Sequence, residues 1–417
     1  MDQVSTNAEQ QWQLARVLLA AGKMEESLIH LETAATALHP AACFNLGSLH
    51  LFNLIENADK TRSLELIKKA AELGHGGAFY QLAMLELCKH DKEPNWQYAN
   101  ECCRKSAELG FPTALRSLAI HWSRSQDSAL IALGTLCLEH AALAGDVVSL
   151  ALLMHRIREG IGCVANPLRA NAINTLLMQT DIPIDPSYTK ANPHFAQASH
   201  VADLPTIPPI DLRQTLIESK TQVISESPWV VIADDVLNEE ECRLIRYLGG
   251  PLLEPSITAD PDGKLVQVQL RSSFDMAFSD IQEDITLLLI QKKMATLVNA
   301  TQANSEPLRL LRYQNGQEYQ PHRDYLPPSL ITPLEAGGAG QRVSTVIVYL
   351  NDVSIGGETE FIELNKKIAP KLGRVLAFKN LHEDGTPDTR TLHAGLPVKF
   401  GTKWIATMWI HQGVFRK

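Results

Sequence analysis

Three residues in this chain have the types and spacing to hold a metal: His322 and Asp324, one residue apart, and His393, 71 residues further on. Two imidazoles and one carboxylate on a single face suit non-haem Fe(II) and leave coordination positions open for a cosubstrate and O2. A structural zinc would take four ligands, usually with thiolates among them, and no cysteine lies near these residues. Lys403, ten residues after His393, adds a compact cation suited to pairing with a carboxylate in an apolar interior.

A His-x-Asp triplet alone says little, because a chain with 14 histidines and ordinary Asp usage should contain about one by chance. This chain has a second, His382-Glu383-Asp384, in the Gly/Pro/Asp-rich run NLHEDGTPDTR, which reads as a solvated turn. It lies only 11 residues before His393, too close for intervening strands. The interval from His322 to His393 instead holds several strand-plus-turn units. Residues 343–350 are β-branched and apolar, 360–364 alternate, and 373–378 start from a Gly turn. These runs predict a double-stranded β-helix, or jelly roll, with the metal site at its mouth.

Three stretches, LRYQNGQEYQPHRDY, GGAGQRVSTVIVYLNDVSIGGETEF and TLHAGLPVKFGTKWIATMWI, resemble the prolyl 4-hydroxylase-like branch of the 2-oxoglutarate/Fe(II) dioxygenases, over roughly residues 227–417. The resemblance implies His322, Asp324 and His393 as metal ligands and catalytic centre, and Lys403 as partner of the far carboxylate of 2-oxoglutarate. It implies Tyr313, nine residues before His322, as a second partner of that carboxylate, with Thr359 and Trp409 at neighbouring pocket positions. The plainer reading of Tyr313 and Trp409 is that they are core aromatics. A lysine where many related oxygenases use arginine points to the prolyl-hydroxylase branch, and the carboxylate of Asp324 favours hydroxylation over halogenation. The cofactors implied are Fe(II), 2-oxoglutarate as cosubstrate, O2 and ascorbate. The substrate implied first is a prolyl residue in a protein or peptide. A free or carrier-bound amino acid or natural product is the alternative, and a non-catalytic scaffold or sensor a third reading. Arg342 and Arg390 flank the motif strands, where an arginine is more often a surface charge or a partner for a nearby Asp or Glu than a substrate ligand.

The 417 residues, 45% hydrophobic and 20% charged, describe a globular protein of two or three domains. A net charge of -9 without a basic run argues against a nucleic-acid partner. The N-terminus MDQVSTNAEQQWQ has neither the charged nor the apolar region of a secretory signal, and no stretch approaches the length of a membrane span, so a cytoplasmic location is expected. The seven cysteines, six of them in helical-looking segments, read as small buried hydrophobes rather than disulfides or ligands.

The N-terminal part repeats itself. KKAAELG at 68–74 returns as RKSAELG at 104–110 and EHAALAG at 139–145, and an earlier, glycine-free copy, HLETAATA, ends at Ala37. The pattern resembles Sel1-like or tetratricopeptide repeats, which implies an α-helical solenoid and a possible protein partner on the helical repeats. The expected architecture is therefore multidomain α and β: helical repeats over 1–180, a Pro-rich linker over 181–225, and a jelly-roll dioxygenase domain with flanking helices over 226–417. Two long polar loops, 254–268 and 325–341, are where substrate choice is expected to be made.

Overall fold

The computed structural model describes the chain except residues 1, 90–91, 185–190, 197–200, 217–218, 257, 260–264, 267–271, 332–336 and 417. Parts of the expected linker and of both long loops thus lie outside the described residues. Among those described, ten helices precede the first strand: α1 (Asp2–Ala20), α2 (Met24–Thr36), α3 (Pro40–Leu51), α4 (Lys60–Glu72), α5 (Gly76–Leu87), α6 (Trp96–Glu108), α7 (Pro112–Trp122), α8 (Ser128–Leu143), α9 (Val147–Glu159) and α10 (Pro167–Leu177).

The repeated Gly74, Gly110 and Gly145 end α4, α6 and α8 with φ of +84°, +75° and +96°. At each, the next two backbone N–H groups turn back onto the helix: Gly74 to Ala71 and His75 to Ala70, Gly110 to Ala107 and Phe111 to Ser106, Gly145 to Ala142 and Asp146 to Ala141. These are left-handed helix caps, which glycine enters without steric cost. The glycine-free copy makes the same cap with Leu38, at φ +61°. Small residues let the helices approach closely, since a Cβ on Gly47 would stand 2.9 Å from Ile67. At that approach the buried Ser63 hydroxyl donates to the Gly47 carbonyl at 2.7 Å, and Ser27, one repeat earlier, donates to Ala15 at 2.7 Å.

The chain falls into two compact units. The first contains Met1–Ala119, Leu133–Asp146 and His200–Leu212; the second contains Ile120–Ala132, Val147–Ser199 and Arg213–Lys417. The second unit therefore takes α9 and α10 together with the strands. In it, α9 packs on α11 (Glu239–Gly249). The fully buried Arg156 guanidinium donates to both Glu240 carboxylate oxygens at 2.6 and 2.7 Å. His155 meets the Tyr247 hydroxyl at 2.6 Å, and burial, with Arg243, Arg246 and Arg158 nearby, pushes its pKa down to about 2. Asn238 caps α11: it accepts from the Glu241 N–H while the Glu241 carboxylate accepts from the Asn238 N–H.

An eight-stranded antiparallel sheet runs in the order Gln222–Glu226, Trp229–Ala233, Val375–Lys379, Arg342–Tyr349, Lys403–His411, Arg309–Tyr313, Phe274–Ala277, Glu254–Pro255. A four-stranded sheet has the order Lys366–Ile368, Thr359–Phe361, His393–Gly395, Tyr319–His322. One apolar cluster includes Leu310, Val346, Ala406 and Met408 from the large sheet with Ile245 of α11 and Ile290 of α12 (Ile285–Thr296). A second joins Leu311, Tyr313, Ile347, Tyr349 and Ile405 to Phe361 of the small sheet. The expected strand at 360–364 is shorter than its alternation suggested, because the chain turns over 362–365, with Asn365 at φ +50°, and returns as Lys366–Ile368.

All seven cysteines are free. Five of them are buried as expected, Cys88 is half-buried at the turn that ends α5, and Cys163 lies in a bend after α9 and is exposed, so neither its helical nor its buried assignment stands. No described helix is long and apolar enough to cross a membrane.

Candidate metal and cosubstrate site

The small sheet positions the two histidines. His322 ends one strand and His393 begins its neighbour, and antiparallel register sets them directly opposite each other. Cross-strand partners on one face are brought into contact by the ladder itself, and here the ring centroids are 4.3 Å apart. Asp324 follows two residues after His322, with Oδ1 3.6 Å from His322 Nε2 and Oδ2 3.7 Å from His393 Nε2. Candidate ligand atoms of all three lie within 4.8 Å of one another.

The backbone selects the ring atoms. His322 Nδ1 lies 2.8 Å from the Gln320 carbonyl and His393 Nδ1 2.9 Å from that of Thr391. A carbonyl only accepts, so each Nδ1 carries the proton and each Nε2 presents its lone pair toward Asp324. Tyr319 stacks on His322 with centroids 3.5 Å apart.

The carboxylate is oriented in turn. The Thr345 hydroxyl donates to Asp324 Oδ2 at 2.7 Å, and the Asn380 amide donates to the Thr345 oxygen at 3.1 Å, both side chains being wholly buried. Burial alone would raise the Asp324 pKa. His393 and His322, with Arg342 and the Thr345 hydroxyl, nevertheless hold it below the ordinary carboxylate value.

Lys403 enters the cavity from the large sheet, opposite Tyr313 in register. It is 3% exposed, its Nζ stands 5.5 Å from the Tyr313 ring centre and 5.7 Å from that of Tyr349, and burial depresses its pKa to about 8, against an opposing pull from Glu358. No carboxylate pairs with it among the described residues. A buried cation without a counter-charge is costly and is relieved by an anionic ligand. Thr359 is buried beside it and accepts from the Tyr349 hydroxyl at 2.7 Å. The indole N–H of Trp409 is buried and lacks a partner among the described residues. One cavity connects these groups, lined by His322, Asp324, His393, Lys403, Tyr313, Thr359 and Trp409 together with Leu311, Ile347 and Ile405. A donor set of two imidazole nitrogens and one carboxylate, facing such a cavity, fits an Fe(II) with open positions.

The second triplet is elsewhere. His382 and Asp384 lie in an exposed turn where Asp384 accepts from Thr386, and neither lines the cavity. Arg390 holds Asp388 and Ser227. Arg342 differs: it pairs with Glu306 at 2.5 Å, lies 4.0 Å over the Trp409 ring and donates to the Asp324 carbonyl at 3.3 Å. Sequence reasoning missed Tyr319, Thr345, Tyr349 and Asn380. Continuing the two-residue alternation from Tyr313 and Lys403 would have found Leu311 and Ile405, but Asn380 carries no local signal.

Residues 308–411 match the family described as the 2OG-Fe(II) oxygenase superfamily. The chain is 36% identical over 213 residues to Probable prolyl 4-hydroxylase 7 of Arabidopsis thaliana, spanning 46% of this chain and 66% of that protein. It is 35% identical over 214 residues to Probable prolyl 4-hydroxylase 6 of the same plant, spanning 46% and 73%. The chain belongs to the prolyl 4-hydroxylase-like 2-oxoglutarate/Fe(II) dioxygenases. Membership implies Fe(II), 2-oxoglutarate and O2, which the donor set and the buried lysine fit. A solved Sel1 repeat protein from Oxalobacter formigenes is 19% identical, with a TM-score of 0.33, covering 41% of this chain and 72% of that one.

Proposed function

We propose that this dioxygenase hydroxylates a prolyl residue in a protein or peptide, at His322, Asp324 and His393. Names of relatives support the substrate class; the single observation that carries the chemistry is the unpaired, buried Lys403 across one cavity from the three ligands. When bound, Fe(II) would supply O2 activation, so that one oxygen atom enters the substrate C–H bond as hydroxyl and the other enters succinate as 2-oxoglutarate loses CO2. The chain's own residues do the rest. His322, Asp324 and His393 hold the metal; Thr345 keeps the carboxylate turned; Lys403 and Tyr313 receive the far carboxylate of 2-oxoglutarate; Thr359 and Trp409 line its neighbourhood; and the apolar Leu311, Ile347 and Ile405 exclude water.

Purified full-length protein supplied with Fe(II), 2-oxoglutarate and ascorbate as reductant should form succinate and add one oxygen atom to proline in a proline-containing peptide, read by mass spectrometry. Oxidation of free amino acids alone would overturn the peptide assignment. Failure to bind Fe(II) or form succinate at all would overturn the enzymatic one.

A further inference from the structure

Residues 201–212, VADLPTIPPIDL, belong to the first compact unit, form no helix or strand before Leu212, and carry three prolines, two acids and no basic side chain. They are seated on the helices. Leu212 N–H donates to the Asn100 side chain on α6 at 3.0 Å, His140 Nε2 on α8 donates to the Ala202 carbonyl at 2.8 Å, and Ile207 is 2% exposed. The repeat register, 36 residues between Gly74 and Gly110, places Leu64 of α4 at the position Asn100 holds on α6.

Around Leu64 the described residues seat no such segment. A groove opens there, walled by Leu51, Leu64, Leu85 and Tyr98 and flanked by Lys60 and Lys68. Leu64 and Tyr98 are 38% and 40% exposed. Lys89 beside them is paired with Glu86, whereas Lys60 and Lys68 form no ion pair among the described residues.

We propose that this groove binds an extended, proline-rich segment of another protein, with acidic side chains next to bulky aliphatic ones, as residues 201–212 occupy the adjoining register. Two observations carry this. The seated segment shows which chain chemistry this helix surface accepts, and the open position adds two uncompensated cations on an apolar floor. A proline-rich segment is already extended, so little conformational entropy is lost when it docks. Acidic residues opposite Lys60 and Lys68 would steer it and set its register.

The test uses full-length protein and a fluorescein-labelled peptide VADLPTIPPIDL, followed by anisotropy. Saturable binding is expected. Lys60→Glu with Lys68→Glu should weaken it at least about tenfold, as should a peptide with both aspartates replaced by lysine, and added salt should weaken it further. Leu64→Asp should do the same from the apolar side. All three positions are on the helix surface outside the metal site, so 2-oxoglutarate turnover and the melting profile should stay unchanged in these variants. The proposal is overturned if no saturable binding is seen. It is equally overturned if binding survives these changes and is lost on Asn100→Ala, which would mean that the probe displaces the chain's own segment.

Discussion

Buried hydroxyls serve opposite ends in the two compact units. In the helices they recur: Ser27 and Ser63 occupy one register, and each donates to a carbonyl exposed by a small residue on the preceding helix. At the metal ligands the arrangement is not repeated: the Thr345 hydroxyl serves a single oxygen of Asp324 and is itself oriented by a single amide. A repeated interaction spreads stability over many near-equal interfaces, so losing one is a local matter. A singular one has no understudy.

The largest break in that contrast would come at Asp324. Asp324→Ala removes the only anionic ligand, and succinate formation should fall to background, with Fe(II) no longer retained in an anaerobic binding measurement; a variant that still turned over would show that the site has redundancy after all. Lys403→Ala comes next. A carboxylate left without its buried partner costs about 2 to 4 kcal/mol, so the 2-oxoglutarate KM should rise by about 30-fold or more while metal affinity holds. Because burial depresses the Lys403 pKa to about 8, the protonated, anion-binding form is lost as pH rises through that value. The wild-type KM for 2-oxoglutarate should therefore increase above about pH 8, and a flat profile in that range would count against the role.

Thr345→Val keeps shape and deletes the hydroxyl. Metal affinity should drop about 10- to 100-fold, with Thr345→Ser restoring it, and this is measurable with Mn(II) alone, without turnover. Affinity unchanged by valine would leave the Asn380-to-Thr345 chain without a function at the metal. Ser63→Ala should cost about 1 to 2 kcal/mol of stability and leave kcat/KM untouched, since its effect is confined to one helix pair. The smallest effect runs the other way. Leu38 caps its helix at φ +61° where the later copies use glycine, and it is half exposed. Leu38→Gly should relieve about 1 kcal/mol of backbone strain and raise the unfolding midpoint; a lowered midpoint would mean that the leucine side chain is worth more in place than its conformation costs.

What was legible in the sequence follows from range. The metal ligands, Lys403 and Tyr313 stand in short motifs whose offsets survive without a structure, and the glycine-ended helices repeat at a readable period. Thr345 and Asn380 are 35 residues apart and look like an ordinary strand threonine and a turn asparagine; only the pairing of Arg342–Tyr349 with Val375–Lys379 brings them together. Arg156 and Glu240 are likewise 84 residues apart, each on the face of an otherwise regular helix, and nothing local marks them as partners. Composition drew the eye to the proline-rich stretch as a divide, whereas the compact units are interleaved along the chain.

That last pair bears on how such a protein can be cut, inherited or rearranged. Arg156 neutralises Glu240 in a place water does not reach, so α9 serves the oxygenase as a foundation even though it reads as one more repeat. Proteolysis or a gene break near residue 215 would leave Glu240 without its cation, a loss of about 3 to 5 kcal/mol when one partner of a buried pair is removed. Ahead of α9, Arg124 carries a similar debt, because it pairs with the buried Glu241 carboxylate at 2.5 Å and donates to the Val236 carbonyl at 2.8 Å. What must travel with the enzyme therefore begins no later than Arg124, and any lengthening, shortening or exchange of the array is confined to the helices before it.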